Sequence, residues 1–200
     1  MKPKLKQKLK RLLTVMMSLL MLIGMYAPGV THFAEGKSKA VDVKITKFEI
    51  QNNDHTTATK VYHTDTFLLM MQWDATHLGI NLHKDDFFDV NLPDNMRFPS
   101  DTTARDFDLK DTDGTVVAKA HVTPGPNDEG GKIHVVFTDK VNNKYNVKGT
   151  MYLAAKFAKG KIKYDEKNTF SITVNSEVSG IDDEVLIQGP TIAKDEYLCK

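Results

Sequence analysis

Seven histidines, 26 carboxylates and a single cysteine are the groups from which metal binding or bond-making chemistry would start in this 200-residue chain. The histidines form no ligand pattern. His55, His63, His77, His83, His121 and His134 never stand two to four residues apart, the spacing that puts two imidazoles on one helix turn or strand face. Only strands pairing side by side could bring two of them together, and His32 belongs to the leader described below. Asp111, Thr112, Asp113 and Gly114 open like a calcium loop, but the distal glutamate is missing, and a hairpin turn accounts for the same residues. Asp85, Asp86, Asp89 and Asp94 could supply the paired carboxylates of glycoside hydrolysis. Strand alternation instead reads them as the solvated face and ends of a strand. The sequence contains no nucleophile elbow, phosphate loop or paired-cysteine motif. The expectation is a protein that is not an enzyme and uses neither cofactor nor metal.

The elements that would carry any site begin after residue 40. Ahead of them, Lys2, Lys4, Lys6, Lys8, Lys10 and Arg11 precede an apolar run over residues 12–27, closed by Pro28 and Gly29. A cationic start, an apolar stretch and small residues at a cut after Ala34 or Ala40 describe a secretion signal. The run falls short of the ~20 residues that span a bilayer. Residues 1–40 are read as signal peptide and short leader, with membrane contact confined to that leader before cleavage. The leader holds eight of the 27 Lys and Arg and one of the 26 Asp and Glu, so the remainder is acidic, about −6 net. Nucleic acid rewards clustered Lys and Arg and is not an expected partner. Cys199 has no second cysteine to pair with. The exported domain must stand on its core alone, as a domain of ~140 residues can.

From residue 41 the pattern has period two, with turn residues between short runs. Val41, Val43 and Ile45 share one face, and Phe48 and Ile50 continue in the opposite phase, which predicts a bulge near Thr46 and Lys47. Residues 51–59 read as a loop. Residues 67–73 are apolar on both faces, as in a covered central strand holding Trp73 in the core. Residues 85–93 read as a strand ending at Pro93, which cannot donate a ladder bond. Residues 107–109 and 115–118 flank a Gly114 turn and predict a hairpin. Strands follow at 133–137, 147–157 and 170–174, and residues 185–187 read as an edge strand or connector. Seven to nine such strands predict an all-β fold, an antiparallel β-sandwich of immunoglobulin-like type, without the immunoglobulin disulfide.

The residues of these strands also carry a resemblance. Residues 67–74, then Asp86, Phe87, Phe88, Asp89, Val90, Asn91, Leu92 and Pro93, then Val122, Thr123 and Pro124, and then residues 133–141 with Phe137, Thr138, Asp139, Lys140 and Val141 form the series. In that order they are similar to the first immunoglobulin-like subdomain of Gram-positive wall-anchored adhesins, the collagen-, fibrinogen- and fibronectin-binding proteins that include the Ser-Asp-repeat group. The resemblance covers residues 41–180. It implies cell adhesion: two tandem sandwiches hold a host extracellular-matrix protein in the cleft between them, and a strand latches onto the neighbour's sheet by β-augmentation. Collagen, fibrinogen or fibronectin and an adjacent sandwich domain are the partners it implies, and a secreted, wall-attached location goes with them. Residues 181–200 are then a linker and the start of a second domain. The family's lysine–asparagine isopeptide bond, assisted by an acid, implies Lys44 or Lys47 with Asn168 or Asn175 and Asp74, or Lys200 for the following domain. Such a bond needs a dry, aromatic-walled site where the lysine is neutral. A structural stalk or pilin-like spacer is the alternative function, and a carbohydrate-binding module would need a row of exposed aromatics.

Overall fold

The computed structural model describes residues 38–191, with the side chains of 177–180 excepted. The proposed signal, Cys199 and Lys200 fall largely or wholly outside these residues. Among the described residues ten strands form: β1 (Lys44–Gln51), β2 (Lys60–Tyr62), β3 (Phe67–Asp74), β4 (Phe87–Arg97), β5 (Asp106–Lys110), β6 (Val116–Pro124), β7 (Glu129–Phe137), β8 (Lys148–Phe157), β9 (Glu166–Val174) and β10 (Glu177–Gln188). The helical segments among the described residues are short 3-10 turns such as Thr76–Asn81.

Each strand buries its alternate side chains. Met151, Leu153, Ala155 and Phe157 of β8 turn inward, for example, while Tyr152 and Lys156 face solvent. One sheet has the order β1–β3–β8. The other runs β2–β10–β9–β4–β7–β6–β5 and is antiparallel except at β2–β10. The bulge between Ile45 and Lys47 falls where the apolar phase of β1 inverts, so Ile45 and Phe48 both reach the core.

Aromatic rings knit the two sheets together. Trp73 of β3 meets Phe137 of β7 edge-on at 6.2 Å, and Phe137 lies 5.8 Å from Phe88 of β4. Phe67 of β3, Phe157 of β8 and Phe170 of β9 form a second chain at 4.4 and 5.7 Å. Rings at these separations add directional attraction to the large apolar area they remove from water.

Three elements depart from the sequence reading. Strand β4 runs through Pro93 to Arg97 instead of ending there. Proline is tolerated because the β4–β7 ladder lapses between Leu92 and Arg97, so no partner requires an N–H at residue 93. Beyond the lapse β4 crosses to the other sheet and pairs Met96 and Arg97 with Phe157 and Lys156 of β8, joining the two layers at one corner. Strand β2 follows the polar 51–59 loop, where the sequence reading names no element, and is held by β10 in parallel. The expected linker boundary at residue 181 also moves: β10 pairs along β9 and buries Val185 and Ile187 in the core, so the sandwich extends to Gln188.

Candidate functional site

A sandwich whose interior is filled by side chains acts through its faces and rims. On the outer face of the larger sheet, strand register creates a row that linear spacing conceals. Asp106 of β5 stands opposite His121 of β6, His121 opposite His134 of β7, and His134 opposite Asp89 of β4. Each imidazole turns to its own carboxylate, with Nδ1 2.7 Å from Asp106 Oδ1 for His121 and 2.7 Å from Asp89 Oδ1 for His134. Lys132 Nζ also donates to Asp89, at 3.0 Å. Partial burial pushes the Asp89 carboxyl up, but the contacts from His134 and Lys132 outweigh it and hold the group below the usual aspartate range. Among the described residues no three His, Cys, Asp or Glu side chains converge as a cation cage. Asp86, read as a solvated acid, is buried, and its Oδ2 accepts the His83 amide at 2.9 Å.

At the calcium-like turn, Asp111 is buried and accepts from the amides of Asp113 (2.9 Å) and Thr115 (3.0 Å) and from Lys144 Nζ. An ammonium takes the charge that a cation would have met, and Gly114 at φ +80° closes the turn. This is the hairpin.

The isopeptide set is only partly gathered. Lys44 and Asp74 are register partners on β1 and β3, and Asp74 lies between Lys44 and Lys148 across three strands. Its carboxylate accepts the Thr76 hydroxyl at 2.6 Å and amide at 2.7 Å, contacts that hold it below the usual range. Lys44 and Lys47 are exposed, and Lys47 pairs with Glu49 at 3.2 Å. Asn168 is buried but bonded to the Lys163 amide and to the Lys163 and Glu166 carbonyls. Asn175, just past β9, accepts the Asp89 amide of β4 and donates to the Val41 carbonyl ahead of β1. Lys200 lies outside the described residues. Both asparagine amides thus serve main-chain groups, and both described lysines stand in water.

The rims differ from one another. The rim strand β2 is three residues long. Strand β5 alternates Asp106, Asp108 and Lys110 outward, a charged fringe that resists pairing. On β1 the outward main-chain groups of Ile50 are already engaged: its N–H donates to Asp183 Oδ2 of β10 at 2.6 Å, and its C=O accepts from Ala58 at 2.9 Å. Replacing Asp183 with Ala frees that amide and removes a charge from the rim. The expected outcome is a loss of about 1 kcal/mol in stability and a concentration-dependent dimer in sedimentation velocity that the parent chain does not show.

Strand β8 is left open. Ala75 N–H donates to the Val147 carbonyl at 2.9 Å, which sets the phase of the β3–β8 ladder. Gly149, Met151, Leu153 and Ala155 exchange bonds with β3, so the N–H and C=O of Thr150, Tyr152 and Ala154 point away from it. The Gly149–Asp111 bridge takes the Thr150 N–H to the Lys110 carbonyl, and among the described residues nothing occupies the N–H and C=O of Tyr152 and Ala154. Both ends of this window are pinned. At one end Gly149 bridges to Asp111, and a Cβ there would collide with the Lys110 carbonyl and the Trp73 ring. At the other end Arg97 and Met96 take Lys156 and Phe157. Clefts of about 300 Å³ (Trp73, Lys148, Gly149, Thr150) and about 290 Å³ (Arg97, Phe98, Pro99, Ala154, Lys156) flank the window. The alternation of residues 147–157 is legible in the sequence; which of their amides face outward is not, because that depends on the partner strand.

This architecture is similar to that of known bacterial surface proteins. The serine-rich repeat adhesion glycoprotein Srr1 of Streptococcus agalactiae matches at 18% identity over 75% of this chain and 46% of its own, with a TM-score of 0.50. Srr2 of the same organism matches at 13% identity over 76% and 46%, with a TM-score of 0.52. At such identities the likeness is one of fold, and the chain spans less than half the length of these neighbours. No curated protein matches the sequence. The family model for bacterial Ig domains matches residues 60–168, from β2 into β9. On that match, and with the sandwich just described, the chain belongs to the bacterial Ig domain family.

Proposed function

We propose that this Ig domain is an exported adhesin subdomain on the bacterial surface and that its β8 rim accepts an extended strand. The observation that carries this reading is the contrast between rims: β1, β2 and β5 are capped, short or charged, whereas Tyr152 and Ala154 offer free donors and acceptors between two pinned corners. Strand addition uses such groups for affinity and the neighbouring clefts for selection. The strand comes from a neighbouring sandwich domain closing over a host extracellular-matrix protein, with collagen, fibrinogen and fibronectin as the candidate ligands. Secretion through residues 1–40 and attachment of the parent protein to the wall belong to the same proposal. A passive stalk would give no reason to close three rims and leave the fourth open.

Amide hydrogen exchange tests the rim. In the free domain the amides of Tyr152 and Ala154 exchange rapidly while those of Met151 and Leu153 are protected, and ligand binding slows the first two. Saturable binding of the purified chain to one of immobilised collagen, fibrinogen or fibronectin tests the ligand class. Protection of all four amides in the free domain would refute the open rim. Absence of binding to every matrix protein would refute the ligand class.

A further inference from the structure

At one end of the open window the strands place two cations face to face. Arg97 of β4 and Lys156 of β8 are direct register partners, so their side chains leave the same face side by side. Like charges in that position repel. The surrounding acids do not resolve the conflict. Asp128 lies 3.6 Å from Arg97 but is shared with Arg105 at 3.9 Å, and Glu129, the β7 neighbour of Arg97, turns to Lys161 at 3.2 Å. Asp94 also pairs with Lys161, at 3.1 Å. Among the described residues Lys156 has no ionic partner. The two cations border the cleft of about 290 Å³ whose lining also includes Thr66, Phe98, Pro99, Ala154 and the shared Asp128.

Resting on the strand-accepting reading of β8, we infer that this corner is an anion subsite that selects a peptide strand carrying an acidic side chain. The acid belongs at the end of the incoming strand, on the outward face opposite Ala154, diagonal to Lys156 and within reach of Arg97. Main-chain bonds to Tyr152 and Ala154 hold the strand, and the carboxylate relieves the Arg97–Lys156 repulsion. A strand with a lysine at that position would add a third cation to the corner and be rejected. Charge thus sets the register as well as the partner, because sliding the strand by two residues would take the carboxylate out of reach.

The probes are two synthetic peptides of alternating valine and threonine, identical except for Glu or Lys at that position, titrated against the intact chain at low salt. The Glu peptide is expected to bind about tenfold more tightly than the Lys peptide, an advantage that shrinks with added salt and disappears in the double variant Arg97→Gln, Lys156→Gln. In Lys156→Glu the preference narrows or reverses, and the melting temperature rises by about 1–4 °C as a like-charged pair becomes an opposite one. Equal binding of both peptides would overturn the charge inference and leave strand acceptance intact. Binding of neither would overturn both. A melting temperature that falls in Lys156→Glu would show that the two cations do not repel and would overturn the inference independently of any ligand.

Discussion

Tyr152→Pro leaves the domain folded and abolishes strand acceptance. The Tyr152 N–H points away from β3, so proline removes no ladder bond within the domain, yet its ring fills the place where an incoming carbonyl would dock. The cost is a modest loss from the restricted φ and from the ring contact between Tyr152 and His55 at 4.8 Å, about 1 kcal/mol. One residue further on the outcome reverses. Leu153 exchanges bonds with Leu69 of β3 and is buried, so Leu153→Pro loses a central ladder bond and a core side chain, more than 3 kcal/mol, and is expected to unfold the domain. Tyr152→Thr keeps the open N–H and separates the role of the side chain from that of the main chain. Thermal melts and matrix binding of the three variants check this directly. If Tyr152→Pro bound its ligand as the parent does, the β8 rim would not be the working surface.

Asp111→Ala is expected to cost about 2–3 kcal/mol and to loosen the corner that closes one end of the window. The carboxylate side chain is wholly shielded and serves the Asp113 and Thr115 amides and Lys144 at once. Its removal leaves those donors without an acceptor. The figure is below that for a fully buried ion pair because Lys144 is about a quarter exposed (27%) and can recover water. The pH dependence follows from the same contacts. Burial pushes the Asp111 carboxyl up, but the bonds from Lys144, Thr115 and Asp113 outweigh it and hold the group below its ordinary value of 3.8. A depressed carboxyl contributes stability that is present in full above 3.8 and is lost as pH falls through the lower folded value. Lys144 is held above its ordinary 10.5 first by the bond to Asp111, so its contribution is present below 10.5 and is lost as pH rises beyond it. The parent chain should therefore lose melting temperature more steeply below pH 4 than Asp111→Ala does. Parallel slopes would remove Asp111 from the account.

The sandwich class, the β5–β6 hairpin, the bulge after Ile45 and the burial of Trp73 were legible in the sequence because each depends on residues close in the chain; ten strands form among the described residues where seven to nine were expected. A two-residue period fixes which side chains share a face, and a glycine at positive φ marks its own turn. The lapse at Pro93, the capture of β2 by β10 and the docking of β10 were not legible. Each depends on which strand lies alongside, and nothing local to Lys60 or Val185 reports that. The site divides in the same way. The alternation of residues 147–157 that builds β8 could be read from the sequence. The row of Asp106, His121, His134 and Asp89, the opposed Arg97 and Lys156, and the outward amides of β8 exist only once strands are set in register. A main-chain group is free or satisfied according to the phase of a ladder, and that phase is a property of two strands together.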